Sequence, residues 1–131
     1  MNNTSKPIRG LVLLQSLKNE MLLEALRPMM VDQHQYLLGG VMLVDVLVLS
    51  IQKESLHEAL FTVAGILKAQ SYYAHFIDGD YLYIVYPHCV CRMIRNDREA
   101  ERYCQRIGRN LSIPETQMRF NDLFDKDHPN E

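Results

Sequence analysis

Apolar residues recur along the chain with two different spacings, and each spacing predicts a different element. Continuous or alternating apolar runs predict strands at residues 8–15, 33–38, 41–51, 71–77, 81–86 and 89–95. Apolar steps of three and four residues predict amphipathic helices at residues 19–27, 52–68 and 98–107. Gly39-Gly40 predicts a tight hairpin, Asp97 is expected to cap the third helix, and Gly108 is expected to end it.

The resulting order, β-α-β-β-α-β-β-α, indicates an α+β fold. Its first six elements predict a ferredoxin-like βαββαβ sandwich, with an extra C-terminal strand and helix. Two helices on one face of the sheet leave the other face apolar and open, so the extra helix or a second subunit must cover it. We therefore expect a homodimer or homotrimer. Residues 8–120 are expected to form one domain, between a disordered tail at 1–7 and an acidic tail at 121–131 that frays.

Composition narrows the class of protein without indicating an activity. The chain has 131 residues, a formal net charge of −2, 47% hydrophobic and 23% charged residues, which is ordinary for one globular domain. The weak negative charge makes nucleic acid an unlikely partner. Three cysteines, the absence of an apolar leader at the start of this sequence and a longest apolar run of only residues 41–49 predict a cytoplasmic protein without a membrane partner.

Two stretches of the chain resemble a known family. "IQKESLHEALFTVAGIL" followed by "DGDYLYIVYPHCVCRMIR" is similar to the second half of nitrogen-regulatory PII-like proteins, over residues 41–95. The first half departs from that family, because Gly39-Gly40 leaves no room for its long effector loop. The resemblance therefore implies the fold and a tendency to oligomerise, not ATP binding. The segments "RGLVLLQSLKNE", "FIDGDYLYIVYP" and "GRNLSIPETQMRF" also resemble a family of short, functionally uncharacterised prokaryotic proteins.

His88, Cys89 and Cys91 form the first constellation that could carry chemistry. On a strand the two cysteines share a face, and with an imidazole they could supply three ligands of a zinc or copper(I) site. A fourth ligand would have to be Cys104, His75 or His57, and the spacing is not a usual zinc knuckle. Buried cysteines acting as small apolar residues are the simpler interpretation. We predict no metal and no cofactor.

The second constellation is an aromatic cluster around a histidine. Tyr73 and His75 are expected on one strand face, with Tyr83 on the partner strand, and rings flanking an imidazole can form a small-ligand pocket. The alternative is cross-strand aromatic pairing that only stabilises a hairpin. Asp45 is a third ligand-binding candidate, because a carboxylate inside so apolar a strand must be hydrogen-bonded, paired or protonated.

An arginine stripe on the third helix is the last candidate. Arg98, Arg102 and Arg106 follow helical spacing and could bind an anion, although a solvated helix face is the simpler interpretation. Taken together, the sequence predicts a small oligomeric module that binds a small ligand or a protein partner in a regulatory role. The alternative is a small enzyme with an inter-subunit active site that uses His75 and Tyr73.

Overall fold

Six strands form one fully antiparallel sheet in the computed structural model, which describes residues 7–128. The predicted α+β class is confirmed, and the strands run in the spatial order β2-β3-β1-β4-β5-β6. Two α-helices accompany the sheet. The elements are β1 (Ile8–Leu13), β2 (Met30–Leu38), β3 (Met42–Ile51), α1 (Leu56–Ile66), β4 (Ala74–Asp78), β5 (Tyr81–Tyr86), β6 (Cys89–Ile94) and α2 (Arg98–Asn110).

The first of the three predicted helices is wrong. Residues 19–27 form short 3₁₀ turns, Glu20–Ala25 and Arg27–Met29, rather than an α-helix. Asn19 makes no side-chain cap, and Pro28 cannot donate a hydrogen bond into an interior helical turn. Leu26, between the two turns, is buried against the sheet. The apolar spacing therefore predicted which side of this segment is buried, but not its helix type.

The turn predictions have mixed outcomes. Gly39 and Gly40 have φ of +62° and +75°, and they join β2 to β3 through the expected tight hairpin. The side chain of Asp97 accepts a hydrogen bond from the amide of Ala100, as expected of a cap. Gly108 does not end α2, which continues to Asn110; the residue with positive φ beyond it is Ser112, at +63°.

One face of the sheet is covered by α1 and is called the α1 face. Val12, Leu49 and Phe76 point to this side and form one apolar cluster with the buried side of α1. Gly10 faces Phe76 across β1 and β4, and a Cβ atom on Gly10 would overlap the phenylalanine ring. The glycine therefore makes room for the largest ring of this core.

The other face is called the α2 face, and the chain covers most of it by itself. Leu11, Val46 and Ile84 point to this side, beneath α2 and the segment that follows it. Residues 121–128 do not fray as predicted: Leu123, Phe124 and His128 are buried. The sheet face that was expected to need a second subunit is thus largely covered by the chain itself. Oligomerisation stays a prediction, but an uncovered sheet face no longer supports it.

Two predictions concern the ends of the chain and the membrane. The disordered tail predicted at residues 1–7 lies, apart from Pro7, outside the described residues. Among residues 7–128 neither α-helix combines the length and the apolar character needed to cross a membrane, and the longer one, α2, has 13 residues.

Candidate functional site

A cavity lies on the α2 face, between the sheet and the segment that follows α2. Leu11, Leu38 and Val46 supply apolar wall from the sheet, while Tyr73, His75 and His128 bring polar groups. Its empty space amounts to about 490 Å³, part of which is open solvent, and the centre of a water molecule can move over about 50 Å³ of it. Because one water needs roughly 10–15 Å³ on the second measure, the cavity takes a few waters or one compact molecule.

His75 is the polar group most deeply set in this cavity. It is the second residue of β4, opposite Leu11 on β1 and Ile84 on β5, and only 5% of it is exposed. Within residues 7–128 its Nε2 atom has no hydrogen-bond partner. Burial lowers the pKa of His75 to about 4, so at neutral pH the ring is uncharged and offers one donor and one acceptor.

Tyr73, immediately before β4, ties the C-terminal segment to the sheet. Its hydroxyl donates to the backbone carbonyl of Gln117, and its ring packs edge-on against Phe120 with 5.3 Å between ring centroids. Burial raises the pKa of Tyr73 well above the ordinary value for a phenol. The Tyr73 hydroxyl therefore stays protonated, and its hydrogen bond holds the C-terminal segment against the sheet.

A group of residues that was not predicted from the sequence closes the cavity from outside. His34 and His128 approach with their Nε2 atoms 3.1 Å apart, and the ring of His128 stacks on Tyr36 at 3.8 Å between centroids. Arg9 donates to both carboxylate oxygens of Asp127, at 2.7 and 3.2 Å. The available signal was the alternation of His34 and Tyr36 on β2, which puts both side chains on one sheet face.

The electrostatics of this group favour a charged Asp127 beside a neutral His75. Burial opposes ionisation of Asp127, but the hydrogen bond and the positive charge of Arg9 outweigh it, so the pKa of Asp127 is lowered. The charge of Asp127 in turn favours protonation of His75, yet burial of the imidazole dominates and keeps it neutral. An anionic ligand would meet a carboxylate here without an unpaired positive charge from Arg9 to offset it.

Two of the predicted ligand-binding residues lie away from the cavity. Tyr83 pairs with Phe76 across β4 and β5, which places it on the α1 face. Asp45 is also on that side of β3, and its carboxylate accepts a hydrogen bond from the side-chain amide of Gln15 at 3.2 Å. The structure brings Tyr73 and His75 together and separates them from Tyr83 and Asp45. The predicted strand ended at residue 77, but β4 continues to Asp78, which pairs with Tyr81; this register puts Ile84, not Tyr83, opposite His75.

The arginine stripe lies on the solvent side of α2. Arg98, Arg102 and Arg106 are all exposed, and no ion pair is found for any of them within residues 7–128. The neighbouring Arg109 is paired with Glu115. Anion binding at this surface stays a prediction.

The cysteines lie on the α2 face, and the histidine predicted beside them does not join them in a cluster. Cys91 and Cys104 are buried and in mutual contact, whereas Cys89 is exposed. The hydrogen bond with Cys104 and burial raise the pKa of the Cys91 thiol. His88 sits exposed in the turn between β5 and β6 with φ of +61°. Among the described residues no three His, Cys, Asp or Glu side chains gather as metal ligands.

Glu101 is a second buried polar group that was not predicted from the sequence. This carboxylate, on α2, is 8% exposed and accepts hydrogen bonds from the backbone amide and the side-chain amide of Asn121, at 2.8 and 3.0 Å. No spacing in the sequence connects positions 101 and 121.

Comparison of the chain with protein-family models, curated proteins and solved structures found no match.

Proposed function

We propose that the chain is a small-molecule-binding module, and that its site is the cavity on the α2 face. The observation that carries this proposal is His75: a buried imidazole facing an apolar cavity, with one ring nitrogen unpartnered within the described residues. Leaving such a nitrogen unpaired costs about 1–3 kcal/mol. A ligand that supplies the missing hydrogen bond would recover part of that cost on binding.

The walls and charges define the class of ligand. Apolar side chains from three strands favour a compact ring or branched body, and a neutral imidazole favours a single hydroxyl or amide group. Asp127 lines the same cavity, which disfavours carboxylates and phosphates. The ligand we expect is therefore a neutral, single-ring-sized molecule with one hydrogen-bonding group.

Three probes of similar shape test this class. Phenol should bind in fast exchange and shift the NMR signals of His75 and Val46, toluene should bind less tightly, and benzoate should not bind. Since a net hydrogen bond is worth about 0.5–1.5 kcal/mol, we expect phenol to be favoured over toluene by roughly twofold to twelvefold. His75→Leu should abolish that preference while the cavity stays apolar.

Tyr83→Phe is the matched control, because Tyr83 lies on the opposite face of the same sheet. It should leave phenol affinity unchanged. The proposal fails if none of the three probes gives a saturable shift at the cavity, or if His75→Leu and Tyr83→Phe change the phenol preference equally.

Support for the enzymatic alternative is weaker. A general base works best when its pKa lies near the operating pH, and the pKa of His75 is about 4. Burial raises the pKa of Tyr73, further from the operating pH. Its hydroxyl already donates a hydrogen bond to the backbone carbonyl of Gln117. Tyr73 and His75 are therefore better suited to binding a ligand than to transferring a proton. The regulatory role expected from the sequence belongs to the same proposal.

A ferredoxin-like arrangement is the finer part of the fold proposal. It is supported by the antiparallel sheet and by the position of the 3₁₀ turns after β1, which pack with α1 on the α1 face. Two features depart from that pattern: those turns replace the first α-helix, and β5 and β6 extend the sheet beyond β4. A solved structure of this chain, superposed on ferredoxin-like domains through β1–β4, would decide the assignment.

A further inference from the structure

β2 forms one edge of the sheet, and no other strand within residues 7–128 lies along its outer side. The backbone N–H and C=O groups at such an edge can pair with a strand of another chain. The bulge between Met30 and Asp32 lies at the beginning of β2, so the strand is regular from Asp32 to Leu38. The exposed side chains on the α1 face of this regular part are Gln33, Gln35 and Leu37.

The two edges of the sheet differ in how they are protected. Sheet edges that remain unpaired usually carry charged side chains or proline, which oppose the approach of another strand. The edge strand β6 contains Arg92, and Arg95 follows it directly. Positions 33–44, by contrast, contain no Asp, Glu, Lys, Arg or Pro. Two copies of this part of β2 can therefore approach each other without repulsion between like charges.

Exposed apolar side chains are concentrated at the same edge. Of the ten large hydrophobic side chains exposed within the described part of the chain, five lie in β2 or in the hairpin after it: Val31, Leu37, Val41, Met42 and Leu43. Leu37 and Leu43 are direct partners across β2 and β3, and about half of each remains exposed. Contact with another chain along this edge would remove part of this apolar surface from water.

The order of residues in β2 indicates that a second copy of β2 fits this edge. About His34 the pattern is the same in both directions: Gln33 and Gln35 flank it, and the apolar Val31 and Leu37 lie further out. An antiparallel copy, related by a two-fold axis near His34, places Gln33 of one copy opposite Gln35 of its partner. The same axis brings Val31 of one copy near Leu37 of its partner. Amides then meet amides, and exposed apolar side chains cover one another.

We propose that the chain forms a two-fold homodimer by antiparallel pairing of the outer edges of β2, so that two six-stranded sheets become one continuous sheet. A two-fold contact uses the same edge of both copies, so it closes at the dimer and cannot extend to the homotrimer that the sequence also allowed. The proposal goes beyond ligand binding in the cavity and does not depend on it. Each copy contributes one strand and a hairpin tip, fewer than the roughly 20–30 residues of a standard interface, so we expect dissociation in the micromolar range.

Sedimentation equilibrium between about 10 and 500 μM tests the proposal. The mass should rise from 15.3 kDa towards twice that value. Leu37→Lys places like charges on both pairing edges, and it should raise the dissociation constant at least tenfold. Ile94→Lys is the matched control, because Ile94 is 49% exposed, against 50% for Leu37, and lies on the opposite edge strand, β6. It should dimerise like the unmodified chain.

Salt separates charge repulsion from damage to the fold. In about 1 M salt the screening length falls to about 3 Å, so the difference between Leu37→Lys and the unmodified chain should become smaller. Amide hydrogen exchange gives a second reading, since the amides of β2 should exchange more slowly at the higher protein concentration and those of β6 should not change. If Leu37→Lys does not fold, Gln35→Lys takes its place.

Four outcomes overturn the proposal. The first is a 15.3 kDa monomer over the whole concentration range, and the second is a trimer as the final state. The third is a dimer that the lysine on β2 leaves as tight as before. The fourth is equal weakening by Leu37→Lys and Ile94→Lys, which would mean that the added charge acts without regard to the edge on which it lies.

Discussion

The two faces of the sheet are built from the same six strands, yet they differ in chemistry. On the α1 face, a regular helix and the 3₁₀ turns after β1 cover an apolar cluster centred on Val12, Leu49 and Phe76. On the α2 face, α2 and irregular chain enclose a buried imidazole, a buried carboxylate and a cavity. An apolar face needs only the correct spacing of apolar residues. A polar face needs a particular partner for each buried group, and those partners come from distant parts of the chain.

The largest expected effect lies on the α1 face. Leu60 is buried in the middle of α1, as its spacing predicted, so Leu60→Ala should lower the free energy of unfolding by about 2–5 kcal/mol through lost burial and a residual cavity. His57, on the same helix, is exposed, so His57→Ala should cost no more than roughly 0.5 kcal/mol. Denaturant unfolding of both variants measures the difference. A larger loss in His57→Ala would mean that the helix faces the sheet with another side.

The second effect separates the faces by their response to pH. His75 on the α2 face stays neutral down to about pH 4, whereas an unfolded chain protonates an imidazole near pH 6.5. Between those values the unfolded state binds more protons, so the free energy of unfolding falls as the pH falls. The pKa difference corresponds to roughly 3 kcal/mol. The stability lost between pH 6.5 and 4 should be smaller by this amount in His75→Leu.

The control for this pH effect is Leu60→Ala, which carries the same ionisable groups as the unmodified chain. It should be less stable at every pH and lose stability with the same slope. If His75→Leu and Leu60→Ala show equal slopes between pH 6.5 and 4, then His75 is not held neutral by burial, and the main argument for the cavity as a ligand site is lost.

The third effect concerns the attachment of the C-terminal segment to the α2 face. Glu101→Gln keeps the shape of the side chain but turns one of its two acceptor oxygens into a donor facing the amides of Asn121. One of these partners is then unpaired, and the expected loss of stability is about 1–3 kcal/mol. Chemical denaturation gives the loss. Glu99→Gln, at an exposed position on the same helix, should be nearly neutral; equal losses would mean that the Asn121 contact does not hold the segment.

The contrast between the faces also explains which parts of the structure could be predicted from the sequence. Local signals were sufficient for α1, for the Gly39-Gly40 hairpin and for the cap at Asp97, because each depends on residues within a few positions of one another. Tyr73 and His75 were predicted as site residues from their neighbours along the chain. Their partners could not be predicted: the contacts of His34 with His128 and of Glu101 with Asn121 join residues 94 and 20 positions apart.

The smallest expected effect compares the two helices at their first turns. In α2, Asp97 accepts a hydrogen bond from the amide of Ala100 at 3.0 Å, and its charge lies at the positive end of the helix dipole. In α1, the corresponding residue, Ser55, makes no capping hydrogen bond through its side chain. Asp97→Ala should therefore lower the free energy of unfolding by about 1 kcal/mol, and Ser55→Ala by a few tenths at most.

Thermal or denaturant unfolding of both variants at pH 7.5 makes this comparison, with Asp97→Asn as the conservative control that keeps an acceptor oxygen. Asp97→Asn should recover most of the loss, because Asn and Asp are similarly good caps. Equal losses in Asp97→Ala and Ser55→Ala would show that α2 is held by its buried face alone. In that case the contacts of Glu101 and Tyr73, rather than the start of α2, would hold the C-terminal part of the chain on the α2 face.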